Sequence, residues 1–255
     1  MQIGFKTRAT PAPYTARMRR TNALAGIAAL AGGLAAGSQA QASIALPNLG
    51  KPLRPPARGP VRVGVVMGPN LVAIDMFGPW TAFGDGNIAG NEMKDRFELY
   101  GIAPTAEPLD VDGLMVRPQY TFANAPQPHV LVVPAQKSLP ETIAYLKRTA
   151  PGADVTMSVC TGAFVAARAG LFDGLAATTH HGGYDAFAQM FPRVRLIRGV
   201  KYVETAAVSS AGGETSGIDL ALRVVERYYG ADVARGAAYN MEYRRIARPQ
   251  EPAEV

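Results

Sequence analysis

Hydrophobic positions along the chain fall into short apolar runs that alternate with segments of helical periodicity. Four runs predict strands, at 61–67, 97–103, 130–134 and 154–160. Helical spacing predicts helices near 72–83, 138–149, 161–171, 183–191, 216–230 and 231–240. Shorter strands are predicted at 176–180, 200–204 and 206–210, and Asp112-Gly113 predicts a hairpin turn. Alternating strands and helices predict an α/β protein with a mostly parallel sheet and helices on both faces.

The first 42 residues differ from the rest of the chain in charge. They hold five of the 26 basic residues and no acid, whereas the remainder is close to neutral, so the net charge of +6 is weak evidence for nucleic-acid binding. A basic stretch through Arg19-Arg20, an Ala/Gly-rich segment at 22–37 and an A-x-A site ending at Ala42 predict a signal peptide of twin-arginine type. The expectation is a periplasmic or secreted protein without a stable membrane anchor after cleavage, starting at Met1 or Met18.

Three further segments follow the predicted signal peptide. Five prolines without periodicity make 43–60 an extended spacer, so folding is expected to begin at Val61. The domain extends over 61–245 and leaves a tail at 246–255. Because this tail is too short for a DNA-binding helical domain, we expect no nucleic-acid partner.

Cys160 is the position most informative about chemistry. It is the only cysteine, which excludes an intramolecular disulfide and a CxxC motif. It joins a buried strand to a helix beginning at about Thr161, as in a nucleophile elbow, and a helix N-terminus is expected to lower a thiol pKa. The alternative is a buried cysteine that serves as a small hydrophobic residue.

Other chemistries have little support. The chain contains no GxxxxGK, GxGxxG or HExxH string, and the adjacent His180 and His181 point in different directions from an extended segment. We therefore expect no cofactor and no metal. Tyrosines near the end of the domain indicate internal packing or the contact of a homodimer.

Three separated motifs resemble the ThiJ/PfpI superfamily, which has a flavodoxin-like, class I glutamine-amidotransferase-like fold. They are SVCTGAFVAARAGLFDG at 158–174 with ATTHHGG at 177–183, ETSGIDLALRVVE at 214–226, and AIDMFGPWTAF at 73–83. The resemblance covers about 61–245. Its branch is that of the isonitrile hydratases and the amidase-like domains of AraC-type regulators.

The resemblance implies roles for individual residues. Cys160 would be the nucleophile and Asp75 the group that transfers a proton, although Asp75 also fits a carboxylate that offsets a helix dipole. Thr161 would offer its N–H, and its hydroxyl, to developing negative charge. His180 would lie near the thiol, or else be a hydrogen-bonded structural imidazole.

Two departures from the family pattern matter for function. Peptidase-like members carry a histidine directly after the cysteine, where this chain has Thr161, so a Cys-His protease is disfavoured. Many relatives have a glycine pair after the third strand, where this chain has Ala135 and Gln136. Ala135 still offers an N–H to an oxyanion hole, and Gln136 is an alternative ligand in the pocket.

Two functions follow as expectations. The first is an exported cysteine enzyme that hydrates a small isonitrile-like substrate, with Cys160 as nucleophile and Asp75 as proton-transfer group. The second is a non-catalytic module on the same fold that senses a small ligand or a redox change.

Overall fold

The computed structural model describes residues 50–88 and 93–244, so the predicted signal peptide, the first part of the spacer and the tail lie outside the described residues. The strands are β1 (Val61–Val66), β2 (Phe97–Ala103), β3 (Leu109–Val111), β4 (Leu114–Val116), β5 (Tyr120–Thr121), β6 (Val130–Val133), β7 (Val155–Val159), β8 (Ala176–Ala177), β9 (Arg195–Leu196), β10 (Tyr202–Glu204) and β11 (Val208–Ala211). The helices are α1 (Ala73–Gly86), α2 (Pro140–Thr149), α3 (Gly162–Arg168), α4 (Tyr184–Met190), α5 (Ser216–Tyr229) and α6 (Ala231–Asn240).

Seven strands form the main sheet, in the order β10-β11-β7-β6-β1-β2-β5. Every neighbouring pair is parallel except β10 with β11, which confirms the predicted flavodoxin-like fold. The central strands are apolar on both faces because helices cover both. Val63 and Val65 pack on the side of α1, α5 and α6, whereas Leu131 and Val133 pack on the side of α2 and α3.

The strand predicted at 176–180 is present only in its first two residues. Only β8 is extended, and it pairs with β9 in a separate two-stranded sheet. The next residues make individual bonds instead of a ladder: the Thr178 N–H donates to Ser210 Oγ at 2.8 Å, and Thr179 Oγ1 donates to the Cys160 carbonyl at 2.9 Å. These two bonds connect the segment to the sheet edge where Cys160 lies.

The last part of the proline-rich spacer is held against the domain by hydrogen bonds to α5, so the ordered chain begins before Val61. Arg223 and Arg227, both on α5, donate to the carbonyls of Gly50 and Lys51 at 3.1 and 3.0 Å. The Leu53 N–H returns a hydrogen bond to the Arg227 carbonyl at 2.7 Å. Composition predicted a spacer, but the two arginines that hold it lie far away in the sequence.

Tyrosines of the last two helices serve mainly in packing. Tyr228 donates to Asp154 at 2.7 Å and Tyr229 to the Arg96 carbonyl at 3.0 Å, while Tyr239 is exposed.

Within the described parts of the chain, no helix combines the length and the apolar character needed to cross a bilayer.

Candidate active site

Cys160 lies at a sharp turn between β7 and α3, as the sequence predicts. Its φ is +56°, a left-handed conformation that residues other than glycine seldom adopt and that often marks a functional turn. Gly162 makes the turn possible, since a Cβ at this position would lie 2.1 Å from the Val133 carbonyl oxygen. The Cys160 N–H donates to the Ala211 carbonyl at 3.1 Å, which fixes the turn against the neighbouring strand β11.

Asp75 faces the same sheet edge from the first turn of α1. Its side chain is fully buried, and Oδ2 accepts a hydrogen bond from the Ala135 N–H at 3.1 Å. The other oxygen, Oδ1, has no hydrogen-bond partner among the described residues. A buried carboxylate oxygen without a donor favours the protonated form.

The pKa of Asp75 rises from its ordinary 3.8 to about 7, chiefly because burial removes water from the carboxylate. The Ala135 N–H opposes this rise, and so does the Cys160 thiol, which acts on the carboxyl as a weak hydrogen bond would. Glu214 and Asp112 raise the pKa further through their negative charges. A carboxyl group with a pKa near neutrality is suited to both donating and accepting a proton.

The expected lowering of the Cys160 pKa is wrong for this structure. Burial and the neighbouring Asp75 charge raise the thiol pKa from 9.0 to about 11, although the Thr161 N–H and hydroxyl act in the opposite direction. Only 7% of Cys160 is exposed, and α3 has just seven residues. Loss of hydration and like charge therefore outweigh the partial charge of a short helix.

The Ala135 N–H and the Gln136 side chain both have hydrogen-bond partners within the protein. The Ala135 N–H is engaged by Asp75, so in this structure it orients the carboxyl instead of standing free for an oxyanion. The Gln136 side chain turns back to the end of β1, where its amide donates to the Val66 carbonyl at 2.9 Å, and its Oε1 packs against Gly68. Since the same amide also lies 3.4 Å from the Pro134 carbonyl, the side chain links the ends of β1 and β6.

His180 makes a local contact. Its Nδ1 accepts a hydrogen bond from the Gly182 N–H at 3.2 Å, which caps a short turn, and its ring lies 4.2 Å from the ring of His181. This contact fits the structural imidazole that the sequence left open as an alternative, and the His180 ring also lies beside Gly213, since a Cβ added there would be 4.0 Å from His180 Cδ2. No group of three or more potential ligands within residues 50–88 and 93–244 is arranged to hold a metal ion.

Two acidic residues near the site were not predicted from the sequence. Asp112, at the tip of the β3–β4 hairpin, accepts the Ala73 N–H at 2.8 Å and thereby caps the start of α1. Glu214 precedes α5 and acts on both Asp75 and Cys160. The available signal was its place as the first residue of the motif at 214–226, a few residues after the strand predicted at 206–210.

The fold and this site together define a flavodoxin-like α/β protein with a buried cysteine–carboxyl pair at a nucleophile elbow. A scan against protein-family models finds no match. Among proteins of known sequence, isonitrile hydratase of Pseudomonas putida is 27% identical over 191 residues, covering 72% of this chain and 78% of the relative. The HTH-type transcriptional regulator GbdR of Pseudomonas aeruginosa is 29% identical over 193 residues, covering 64% of this chain and 52% of the regulator.

Solved structures agree with these relatives. A ThiJ/PfpI family protein from Pseudomonas syringae matches with a TM-score of 0.64 and 26% identity, covering 74% of this chain and 77% of that one. These matches support membership of the ThiJ/PfpI superfamily. The chain spans about half the length of the matched regulator and most of the length of the hydratase.

Proposed function

We propose that the protein hydrates a small isonitrile-like electrophile, with Cys160 as nucleophile and Asp75 as the group that moves the proton. The observation that carries the proposal is the buried Asp75 carboxyl, of pKa about 7, beside the thiol at the elbow. The likeness to isonitrile hydratase supports it.

A protonated thiol beside a carboxyl group suits this substrate class. The terminal carbon of an isonitrile, R–N≡C, accepts a nucleophile and a proton at the same atom. Asp75 takes the thiol proton as sulfur attacks and delivers it to that carbon, which gives the thioimidate R–N=CH–S–Cys160. Asp75 then takes a proton from a water that attacks the carbon and passes it to the imidate nitrogen, which gives R–NH–CH(OH)–S–Cys160; the C–S bond breaks as the hydroxyl proton passes through Asp75 to sulfur, and the formamide R–NH–CHO leaves. The high thiol pKa is compatible with this sequence because the proton on sulfur is consumed in the first step.

Turnover by two variants tests the proposal. Cys160→Ser should show no measurable hydration of alkyl isonitriles, because a serine hydroxyl is far less acidic and far less nucleophilic than a thiol, and a carboxylate is too weak a base to activate it. Asp75→Asn keeps the acceptor for the Ala135 N–H but cannot transfer a proton, so we expect turnover to fall by about 10²–10⁴-fold. Formamide production would be followed by liquid chromatography with mass detection. Equal turnover in wild type and Asp75→Asn contradicts the assigned role.

A ligand-sensing role is the second candidate. It is favoured by the likeness to GbdR, by the small exposure of Cys160 and by the engagement of the Ala135 N–H. In that case no form of the protein would convert isonitriles. Ligand binding, measured by calorimetry, would then survive in Asp75→Asn.

We also propose that the protein is exported through the predicted signal peptide. The support is the order of basic, apolar and A-x-A segments, with nearly all the surplus positive charge before Ala42. N-terminal sequencing of protein from the source cell should find a chain that starts just after Ala42. A chain that still starts at Met1 or Met18 contradicts export.

A further inference from the structure

The turn between β11 and α5, residues 212–215, borders the cysteine site. β11 ends at Ala211, whose carbonyl accepts the Cys160 N–H, so the turn leaves the sheet at the same edge as the elbow. Gly217, just beyond the turn, packs so closely that an added Cβ would lie 2.8 Å from Val159 and 3.3 Å from Pro79. The turn is therefore held between the elbow strand and α1, the helix that carries Asp75.

The carbonyl of Glu214 in this turn accepts the Gly217 N–H at 3.3 Å, but its side chain has no evident structural role. The residue is exposed, and within the described chain its carboxylate has neither a hydrogen-bond nor an ion-pair partner. Asp112, the other acidic neighbour of Asp75, differs because its carboxylate caps α1. Lys201, a nearby basic residue, is engaged by Asp219 at 2.9 Å. No described partner therefore neutralises the negative charge of Glu214, which can act on a molecule that enters the site.

A second observation points to a ligand at this place. Asp75 is fully buried, and apart from the weak interaction of its carboxyl with the Cys160 thiol, its Oδ1 has no hydrogen-bond partner among the described residues. A buried oxygen without a donor is costly unless something supplies one. Because the turn that carries Glu214 leaves the sheet at the same edge as the elbow, a small molecule bound between Asp75 and the thiol would lie within the influence of the Glu214 charge.

We propose that Glu214 determines substrate charge, so that the site accepts small electrophiles that are neutral or cationic and rejects anionic ones. The reacting group of the substrate rests on the proposed function, but the charge preference does not depend on turnover. Electrostatics support it, since Glu214 raises the pKa of both Asp75 and Cys160. A charge that disfavours two nearby anions disfavours an incoming anion in the same way.

Matched thiol reagents measure this preference without catalysis. Methanethiosulfonates with a trimethylammonium-ethyl, a methyl or a sulfonatoethyl group transfer that group with its sulfur to Cys160, the only thiol in the chain, which forms a mixed disulfide and releases methanesulfinate. In the wild-type protein the cationic reagent should react about tenfold faster than the anionic one at low ionic strength, after correction for their rates with free cysteine. Added salt should reduce this ratio.

Two variants assign the preference to one residue. Glu214→Gln should bring the corrected ratio close to one. Glu98→Gln, an exposed glutamate near the amino end of β2 and hence toward the opposite edge of the sheet, should leave it unchanged. If the wild type turns over isonitriles, Glu214→Gln should also improve kcat/KM for the anion isocyanoacetate relative to a neutral alkyl isonitrile.

Three outcomes overturn the proposal. They are an anionic reagent that reacts as fast as the cationic one, a ratio that Glu214→Gln does not change, and a Cys160 that reacts with none of the reagents in the folded protein. A charge preference that follows Glu214 in a protein without turnover supports the proposal while refuting the hydratase. The two failures are thus distinguishable.

Discussion

Asp75→Asn is expected to stabilise the protein at pH 8 while leaving its stability nearly unchanged at pH 4. Folding raises the pKa of Asp75 from 3.8 to about 7, so the folded state binds a proton more tightly than the unfolded state. The stability linked to this proton is complete below about pH 4 and is lost as the pH rises through 7. Asparagine carries no charge at any pH, so the variant should gain at most ~4 kcal/mol over wild type above pH 7.

Urea unfolding between pH 4 and pH 8 measures this effect. Asp95→Asn is the matched control, because Asp95 is exposed. The free energy of unfolding of this variant should depend on pH in the same way as that of the wild type. The same removal of charge should lower the thiol pKa, so alkylation of Cys160 in Asp75→Asn should reach its midpoint at lower pH than in wild type. If the free energy of unfolding changes with pH in the same way in Asp75→Asn and in wild type, the Asp75 carboxyl does not take up the proton that folding is expected to bind.

Gly162→Ala is expected to destabilise the protein and to abolish any function of Cys160. The added Cβ would lie 2.1 Å from the Val133 carbonyl oxygen and 2.8 Å from the Pro134 carbonyl carbon. Both are backbone atoms, which cannot move aside as a side chain does, so the elbow or the end of β6 must shift. The free energy of unfolding should fall by roughly 1–3 kcal/mol or more.

Gly84→Ala separates this contact from a general effect of glycine replacement. Gly84 lies in α1, and nothing lies within 4 Å of the position that a Cβ would occupy. Alanine should stabilise the helix here by up to about 1 kcal/mol, because glycine loses more backbone entropy on folding. Chemical denaturation of both variants should therefore give changes of opposite sign. A loss of stability in Gly84→Ala similar to that in Gly162→Ala would show that the close approach is not the cause.

Gly84 lies in a regular helix of the fold, whereas Gly162 lies in the turn that forms the site. The order of strands and helices was predictable because apolar runs and helical spacing are local properties. The Asp112-Gly113 hairpin was predictable for the same reason, since Asp112 and Gly113 adopt positive φ values of 49° and 90° as a tight hairpin requires. At 176–180, by contrast, local preference was overruled by two hydrogen bonds to Ser210 Oγ and the Cys160 carbonyl.

The sequence by itself predicted the superfamily and the elbow at Cys160, and the resemblance supplied Asp75 as the proposed partner of the cysteine, because these follow from motifs and their order. The tertiary structure alone decided that the thiol pKa is raised, that Ala135 holds Asp75, and that Glu214 lies close enough to act on both. The physical reason is that a pKa depends on burial and on charges from segments far apart in the chain. A strand or a turn depends mainly on its own residues.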